Sequence, residues 1–317
     1  MSYADMVFVS DCSQIIRCGY SDESFDVRPK WPDGTPAHTK KLVFVENRYQ
    51  LNSKSIPVMT LRKQGIKNAI DEILWIYQKK TSDLSQLHSH IWDSWDVGDG
   101  TIGKAYGYQI GKVSKHHQYR KGENLDGIVH HVDHNGYVWL SQTDAVLWDL
   151  KNNPGSRSIM TNTYCHEDLA DMGLRPCAYS MHYIVTKDTD GNMVLNGKLL
   201  QRSQDMLTAN NWNVIQYSVL LQMFAQVTGM KPGVLVHSVS DMHIYDRHIP
   251  IVEEMINTYN EMTNGSTMLS EQIDTPYPNP TFVMNRDVKN FYDFKVEDFA
   301  LENYQYCDFN HKIEVAI

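Results

Sequence analysis

The chain has 317 residues, of which 42% are hydrophobic and 21% charged, with 11 Pro and 18 Gly; this composition belongs to a chain with a packed core and excludes a fibrous or disordered one. A formal charge of -9 excludes a surface built to neutralise a nucleic-acid backbone, which needs clustered Lys and Arg. It still allows a phosphorylated small molecule, for which a few local arginines suffice.

The N-terminal MSYADMVFVSDCSQ has no basic stretch followed by an apolar one, so no secretory signal is visible. The first strand signal is residues 41–44. Residues 65–78, GIKNAIDEILWIYQ, then put Ile66, Ile70, Ile73, Leu74 and Tyr77 on one stripe at helical spacing, with Glu72 near its edge. Residues 112–137 are polar and carry His116, His117, His130, His131 and His134. Their spacing matches no metal-ligand pattern, so a solvated, mobile insertion and no metal are expected.

Strands are expected at 178–186 and 193–201, joined by Asp188-Thr189-Asp190-Gly191-Asn192, where Asp-Gly supplies the positive φ of a tight turn. Residues 213–228 are apolar around most of their circumference and end at Gly229, which predicts a buried helix with a glycine C-cap. Gln216, Tyr217, Ser218 and Gln222 interrupt the apolar run well short of the roughly 20 residues of a membrane span, so a cytoplasmic protein is expected. A strand at 233–239 and a surface helix at 249–263 follow. Helices and strands are interspersed without regular βαβ alternation, which favours an α+β protein with a mixed sheet. No linker or repeat divides the chain.

The five cysteines (Cys12, Cys18, Cys165, Cys177, Cys307) are an odd number with no CxxC pair, which fits neither a disulfide framework nor a zinc site. Each could be a small buried hydrophobe. Cys177, in RPCAY at the start of an apolar strand, could instead be a nucleophile. The next strand ends in QRSQD, where Arg202 could bind an anion and lower the pKa of a nearby thiol. In SDMHIY, alternation puts His243 and Tyr245 on one side of an extended segment. Together these residues describe a site for a phosphorylated, hydroxyl-bearing ligand beside a nucleophilic cysteine.

The ordered series DEILW, IWDSW, DGTIGKAYGYQ, NPGSR, RPCAY, QRSQD, NVIQYSVLLQMFAQ, SDMHIYDRHI and a terminal EVAI resembles that of the thymidylate synthase family, from about Asp26 to Ile317. The opening FDVRPKWPDGTPAHT is similar to its Bacillus-type branch rather than to the form with RTGTGT. The resemblance implies one catalytic domain over residues 1–317, α+β, with a mixed, twisted sheet flanked by helices and one sheet face forming a homodimer interface. It also implies the substrates, dUMP and methylenetetrahydrofolate.

By the same resemblance Cys177 attacks carbon 6 of the uracil, with Glu72, Arg202 and Asp205 as the other catalytic residues and Glu72 as a proton relay working through water. Arg28 and Arg202 would hold the phosphate from one subunit, and Arg157 would reach in from the partner. Ser203, His243 and Tyr245 would hold the phosphate and the deoxyribose hydroxyl, and Asn213 would read the uracil edge. Trp92, Trp95, Asp205 and Ala316 would surround the folate. Physical chemistry agrees in part, since guanidiniums suit a phosphate dianion and an amide suits uracil where a carboxylate would suit cytosine. Bland readings stand beside these: Asn213 as a helix N-cap, Glu72 as a surface glutamate, both tryptophans as core. The chain departs from the family pattern at Ser158, where a second arginine is usual, and at Ala178, Ala209, Asn211, Trp212 and Ser240. A dUMP hydroxymethylase, in which water captures the one-carbon intermediate, is the alternative activity.

Overall fold

The computed structural model describes residues 1–263 and 279–316. The chain opens with a helix that the sequence reading missed, α1 (Tyr3–Cys18), started by a reciprocal capping box between Ser2 and Asp5. Asp5 is fully buried and also accepts from the backbone N–H groups of Thr60 and Leu61, so the cap fastens the helix to the following chain.

After the two-residue β1 (Tyr20–Ser21) comes β2 (Thr39–Gln50), three times longer than the predicted 41–44. Its second half, Glu46 to Gln50, is polar apart from the buried Tyr49 and is held as strand by pairing with β9. Phe44 and the facing Ser240 drop out of that ladder without a change of register. Phe44 lies at φ 56°, an outlier for a bulky residue, with its ring 82% exposed.

The predicted helix 65–78 is α2 (Ile66–Leu74), continued by a wider π-helical turn, Trp75–Lys79. A short helix α3 (Gly107–Gly111) leads into β3 (Ser114–Gln118), β4 (His130–Val132) and β5 (Tyr137–Leu140), a separate three-stranded sheet in the order β3-β5-β4. Residues 112–137 are therefore not simply a solvated insertion. His117 is bound by Glu123 at 2.7 Å and by His116 at 2.8 Å, and its ring packs 4.0 Å from that of Trp148 on the next helix. That helix, α4 (Gln142–Asn152), also missed, is capped by Ser141.

The chain then enters the main sheet through β6 (Met160–Asn162), β7 (Ala178–Lys187), β8 (Met193–Asp205) and β9 (Lys231–Tyr245), with α5 (Trp212–Val227) crossing between β8 and β9. Strand order is β1-β2-β9-β8-β7-β6, and only β8 and β9 run parallel. This is the expected α+β architecture with a mixed sheet. The parallel pair follows from the crossover, because a helix between adjacent strands returns the chain in the same direction. Every residue from Val214 to Ala225 is buried, as the all-round apolar pattern predicts, and Gly229 takes the expected positive φ of 70° just past the helix end. The fold closes with α6 (Ile249–Thr263) and the hairpin β10 (Thr281–Met284) and β11 (Phe299–Glu302).

Candidate active site

Strand ends at one side of the main sheet bring the candidate residues together. Cys177 immediately precedes β7, and its carbonyl accepts the backbone N–H of Arg202 on β8 at 2.8 Å. The Arg202 side chain returns across the same turn, its Nε donating to the carbonyl of Pro176 and a terminal nitrogen to that of Arg175. Parallel pairing then sets Ser203 opposite Asp241 and Asp205 opposite His243. The strand extensions 202–205 and 240–245, beyond the predicted bounds, carry these residues.

Burial raises the Cys177 thiol above the ordinary cysteine value, opposed by the positive charges of Arg202 and then Arg28. The lowering expected from Arg202 is thus present but does not outweigh burial. The backbone N–H of Cys177 donates to the hydroxyl of Tyr106 at 2.9 Å. Tyr106 lies in the DGTIGKAYGYQ motif, but sequence reasoning assigned it nothing; its φ of 41° marks backbone held against its preference by the surroundings.

Glu72 is not a surface residue of an amphipathic helix: it is 4% exposed. Burial pushes its carboxyl up to about 7, while the indole N–H of Trp212, donating at 2.9 Å, favours the charged form. Trp92 and Gln216 also favour the charged form from close by, though Trp92 Nε1 and Gln216 Nε2 complete no hydrogen bond. Trp212, one of the departures from the family pattern, thus has a defined partner.

Asn213 does not cap α5; the N-cap position is Asn211, at φ 50°. The Asn213 amide accepts from Gln201 Nε2 at 3.2 Å and donates to Gln216 Oε1 at 3.0 Å. Gln201 is oriented by the buried His237, whose Nε2 donates to Gln201 Oε1. Burial lowers the His237 pKa to about 4, so the ring is neutral and can hold that one tautomer. A positioning chain His237–Gln201–Asn213–Gln216 therefore fixes the amide, and the sequence alone gave no sign of it.

His243 and Tyr245 share one side of β9 as expected, with ring centroids 5.1 Å apart. His243 Nδ1 pairs with Asp241 at 2.7 Å, and Asp241 is in turn paired with Lys41 at 2.7 Å. With Nδ1 donating, Nε2 of a neutral ring is an acceptor for a hydroxyl. The Tyr245 phenol is pushed up to about 12, mainly by burial, so it stays a donor.

Arg28 and Arg202 line a cavity of about 590 Å³, together with Tyr164, Leu169, Met172, Leu174 and Arg175. Trp92 is buried against Trp75 and Tyr106, and the half-exposed Trp95 packs on its edge. The Asp205 carboxylate closes a local turn, accepting from Leu207 N, Thr208 N and the Thr208 hydroxyl. Arg157 is exposed in the loop after α4 and faces none of these groups through a hydrogen bond or ion pair; its carbonyl accepts from His182. Half-buried Ala316 lies two residues beyond Glu314, whose carbonyl accepts from His248 at 2.8 Å, so the tail is tied beside the end of β9; Ile317 lies outside the described residues. Among the described residues no group of three or more His, Cys, Asp or Glu is arranged to hold a metal ion, and no helix is long and apolar enough to cross a membrane.

Comparison with known proteins agrees with this geometry. The family model described as thymidylate synthase matches residues 7–317. The chain is 37% identical over 321 residues to the thymidylate synthase of Bacillus mojavensis, covering all of both chains. It is 38% identical over 312 residues to that of Bacillus phage phi3T, covering 97% of each. Among solved structures, the thermostable thymidylate synthase A from Bacillus subtilis superposes with a TM-score of 0.78 at 36% identity, over 99% of each chain. The chain belongs to the thymidylate synthase family.

Proposed function

We propose that the chain converts dUMP and methylenetetrahydrofolate to dTMP and dihydrofolate, with Cys177 as the covalent nucleophile. The observation that carries this reading is the backbone bond between Cys177 and Arg202, which fixes a thiol beside a guanidinium at the rim of the arginine-lined cavity. The cysteine adds to carbon 6 of the pyrimidine; folate supplies the one-carbon unit and then the hydride. Arg28 and Arg202 hold the phosphate, with Ser203 beside them. His243 Nε2 and the Tyr245 phenol take the deoxyribose hydroxyl as acceptor and donor. Glu72, titrating near neutrality in a dry setting, both takes and gives a proton on the pyrimidine. Leu174 and Met172 on the cavity wall supply the apolar contact a pterin ring needs, with Trp95 packed on Trp92 as a further aromatic partner, and Ala316 on the tethered tail covers it. Asp205 positions the 205–208 turn and meets the folate from there. The comparisons do not favour the hydroxymethylase alternative. Mass analysis of the nucleotide product, with dihydrofolate followed by absorbance, tests the reading: equal amounts of dTMP and dihydrofolate are expected, and 5-hydroxymethyl-dUMP without dihydrofolate would overturn it.

Asn213 reads the uracil edge, so Asn213→Asp is expected to move preference from dUMP toward dCMP by roughly 10- to 100-fold, the effect of a buried mismatched polar pair of about 1–3 kcal/mol. Unchanged discrimination in competition assays would restrict Asn213 to fixing Gln201 and Gln216.

The working unit is a homodimer with shared sites, in the cytoplasm. Two features support the dimer: the main sheet leaves Val43 and Phe44 of β2 and Ile184 of β7 exposed, and the Arg157 guanidinium has no partner within its own chain among the described residues. Arg157→Ala mixed with Cys177→Ala is therefore expected to recover activity, because one of the two sites in the mixed dimer is intact. No recovery after demonstrated subunit exchange would put Arg157 in its own subunit's site.

A further inference from the structure

The cavity of Arg28 and Arg202 holds a third guanidinium. Arg175 lines it as well, and no carboxylate does. Its backbone is fastened to the site by the 2.8 Å bond from the Arg202 guanidinium to the Arg175 carbonyl, and Pro176 stiffens the next step to Cys177. Neither Arg175 nor Arg28 has a side-chain hydrogen bond or ion pair with any described residue, and Arg202 donates only to carbonyls. Three cations that line one cavity without a counter-charge from the protein repel one another and are drawn together by a dianion. Acidic residues are plentiful elsewhere on this chain of net charge -9, so their absence from this wall stands out.

The same chain has Ser158 where the family resemblance gives a second arginine reaching in from the partner. Ser158 is exposed, its hydroxyl 2.9 Å from that of Ser156, and carries no charge to offer. We propose that Arg175 is a phosphate ligand of the substrate and replaces, from within the same subunit, the cation missing at position 158. The proposal rests on the reading of the cavity as the phosphate site of a nucleotide. A guanidinium is suited to the task because its planar fork can take two oxygens of a phosphate at once.

The test compares wild type, Arg175→Ala, Arg175→Lys and the double variant Arg175→Ala/Ser158→Arg, with dUMP, its phosphate-free counterpart deoxyuridine, and inorganic phosphate as probes. Arg175 is exposed, so thermal midpoints of the variants should match wild type. Loss of one charge-assisted contact predicts a rise of about 10- to 100-fold in the KM for dUMP, with kcat nearly unchanged. Deoxyuridine affinity should not move, inorganic phosphate should compete more weakly, Arg175→Lys should recover part of the loss, and Ser158→Arg should restore it from the partner side. A KM within about twofold of wild type in Arg175→Ala, or equal weakening of dUMP and deoxyuridine, would overturn the assignment. If wild type bound inorganic phosphate through Arg175 yet failed to bind dUMP, the nucleotide reading would fall while the anion site stood.

Discussion

Glu72→Gln is expected to lower dTMP formation by about 10²- to 10⁴-fold and, above pH 7, to make the protein more stable. Both effects follow from one buried carboxyl held up to about 7. The folded protein keeps this proton up to about pH 7, whereas the unfolded chain releases it near 4.5. Between those values the folded state binds more protons, so stability falls as pH rises through the window and the full penalty applies above it. A shift of this size corresponds to at most about 3 kcal/mol, and a neutral amide of the same shape avoids it while still accepting from Trp212. Melting curves of the two proteins should therefore coincide near pH 4.5 and separate by several degrees near pH 8. In wild type, kcat/KM should change slope close to pH 7, and that limb should be missing in the variant. Equal activity, or a midpoint lowered at pH 8, would remove Glu72 from the mechanism.

Cys177→Ser is expected to reduce turnover by roughly 10⁴-fold or more, because a hydroxyl lacks the nucleophilicity of a thiolate and no other group is placed to replace it. The two arginines that counter the burial of the thiol stay in place, so dUMP binding should change little. Wild type is expected to form a covalent complex with 5-fluoro-dUMP and methylenetetrahydrofolate, retained because fluorine cannot leave as a cation, and mass analysis of the intact protein should find none in the variant. Activity above a few per cent of wild type, with contamination excluded, would assign the attack to another residue.

Which parts of this site could be read from the sequence depended on whether a residue's role was local. RPCAY and QRSQD sit at adjacent ends of a hairpin whose turn, Asp188 to Asn192, was itself legible, so their meeting followed from strand pairing. The stripe of α2 and the all-round apolar run of α5 are legible for the same reason. Glu72 was different: the stripe of α2 shows which face is apolar but not that α5 covers the edge of it, and only that cover makes the carboxyl titrate near neutrality. Tyr106, Gln201, His237 and Trp212 act through partners far away in sequence or across the sheet, and each looks like ordinary core. The helix 3–18 carries a local signal of its own, the capping box of Ser2 and Asp5, but two buried acidic residues, Asp5 and Asp11, break up its apolar face. Strand β2 was cut short because its second half is polar apart from Tyr49 and draws its stability from a ladder with a distant strand.

That ladder has a consequence for how the protein is made. Thr39 pairs with Tyr245, so roughly 200 residues must be synthesised after β2 before its principal partner exists. At ribosomal rates of about 5–20 residues per second, β2 waits on the order of 10–40 s with only the two-residue β1 beside it. During that interval Val43 and Phe44 lie on an open edge, an invitation to pair with the wrong chain. Arg28, carried on the segment between β1 and β2, reaches its place beside Arg202 only when the ladder closes, so nascent chains should acquire nucleotide affinity late and all at once, after release of β9.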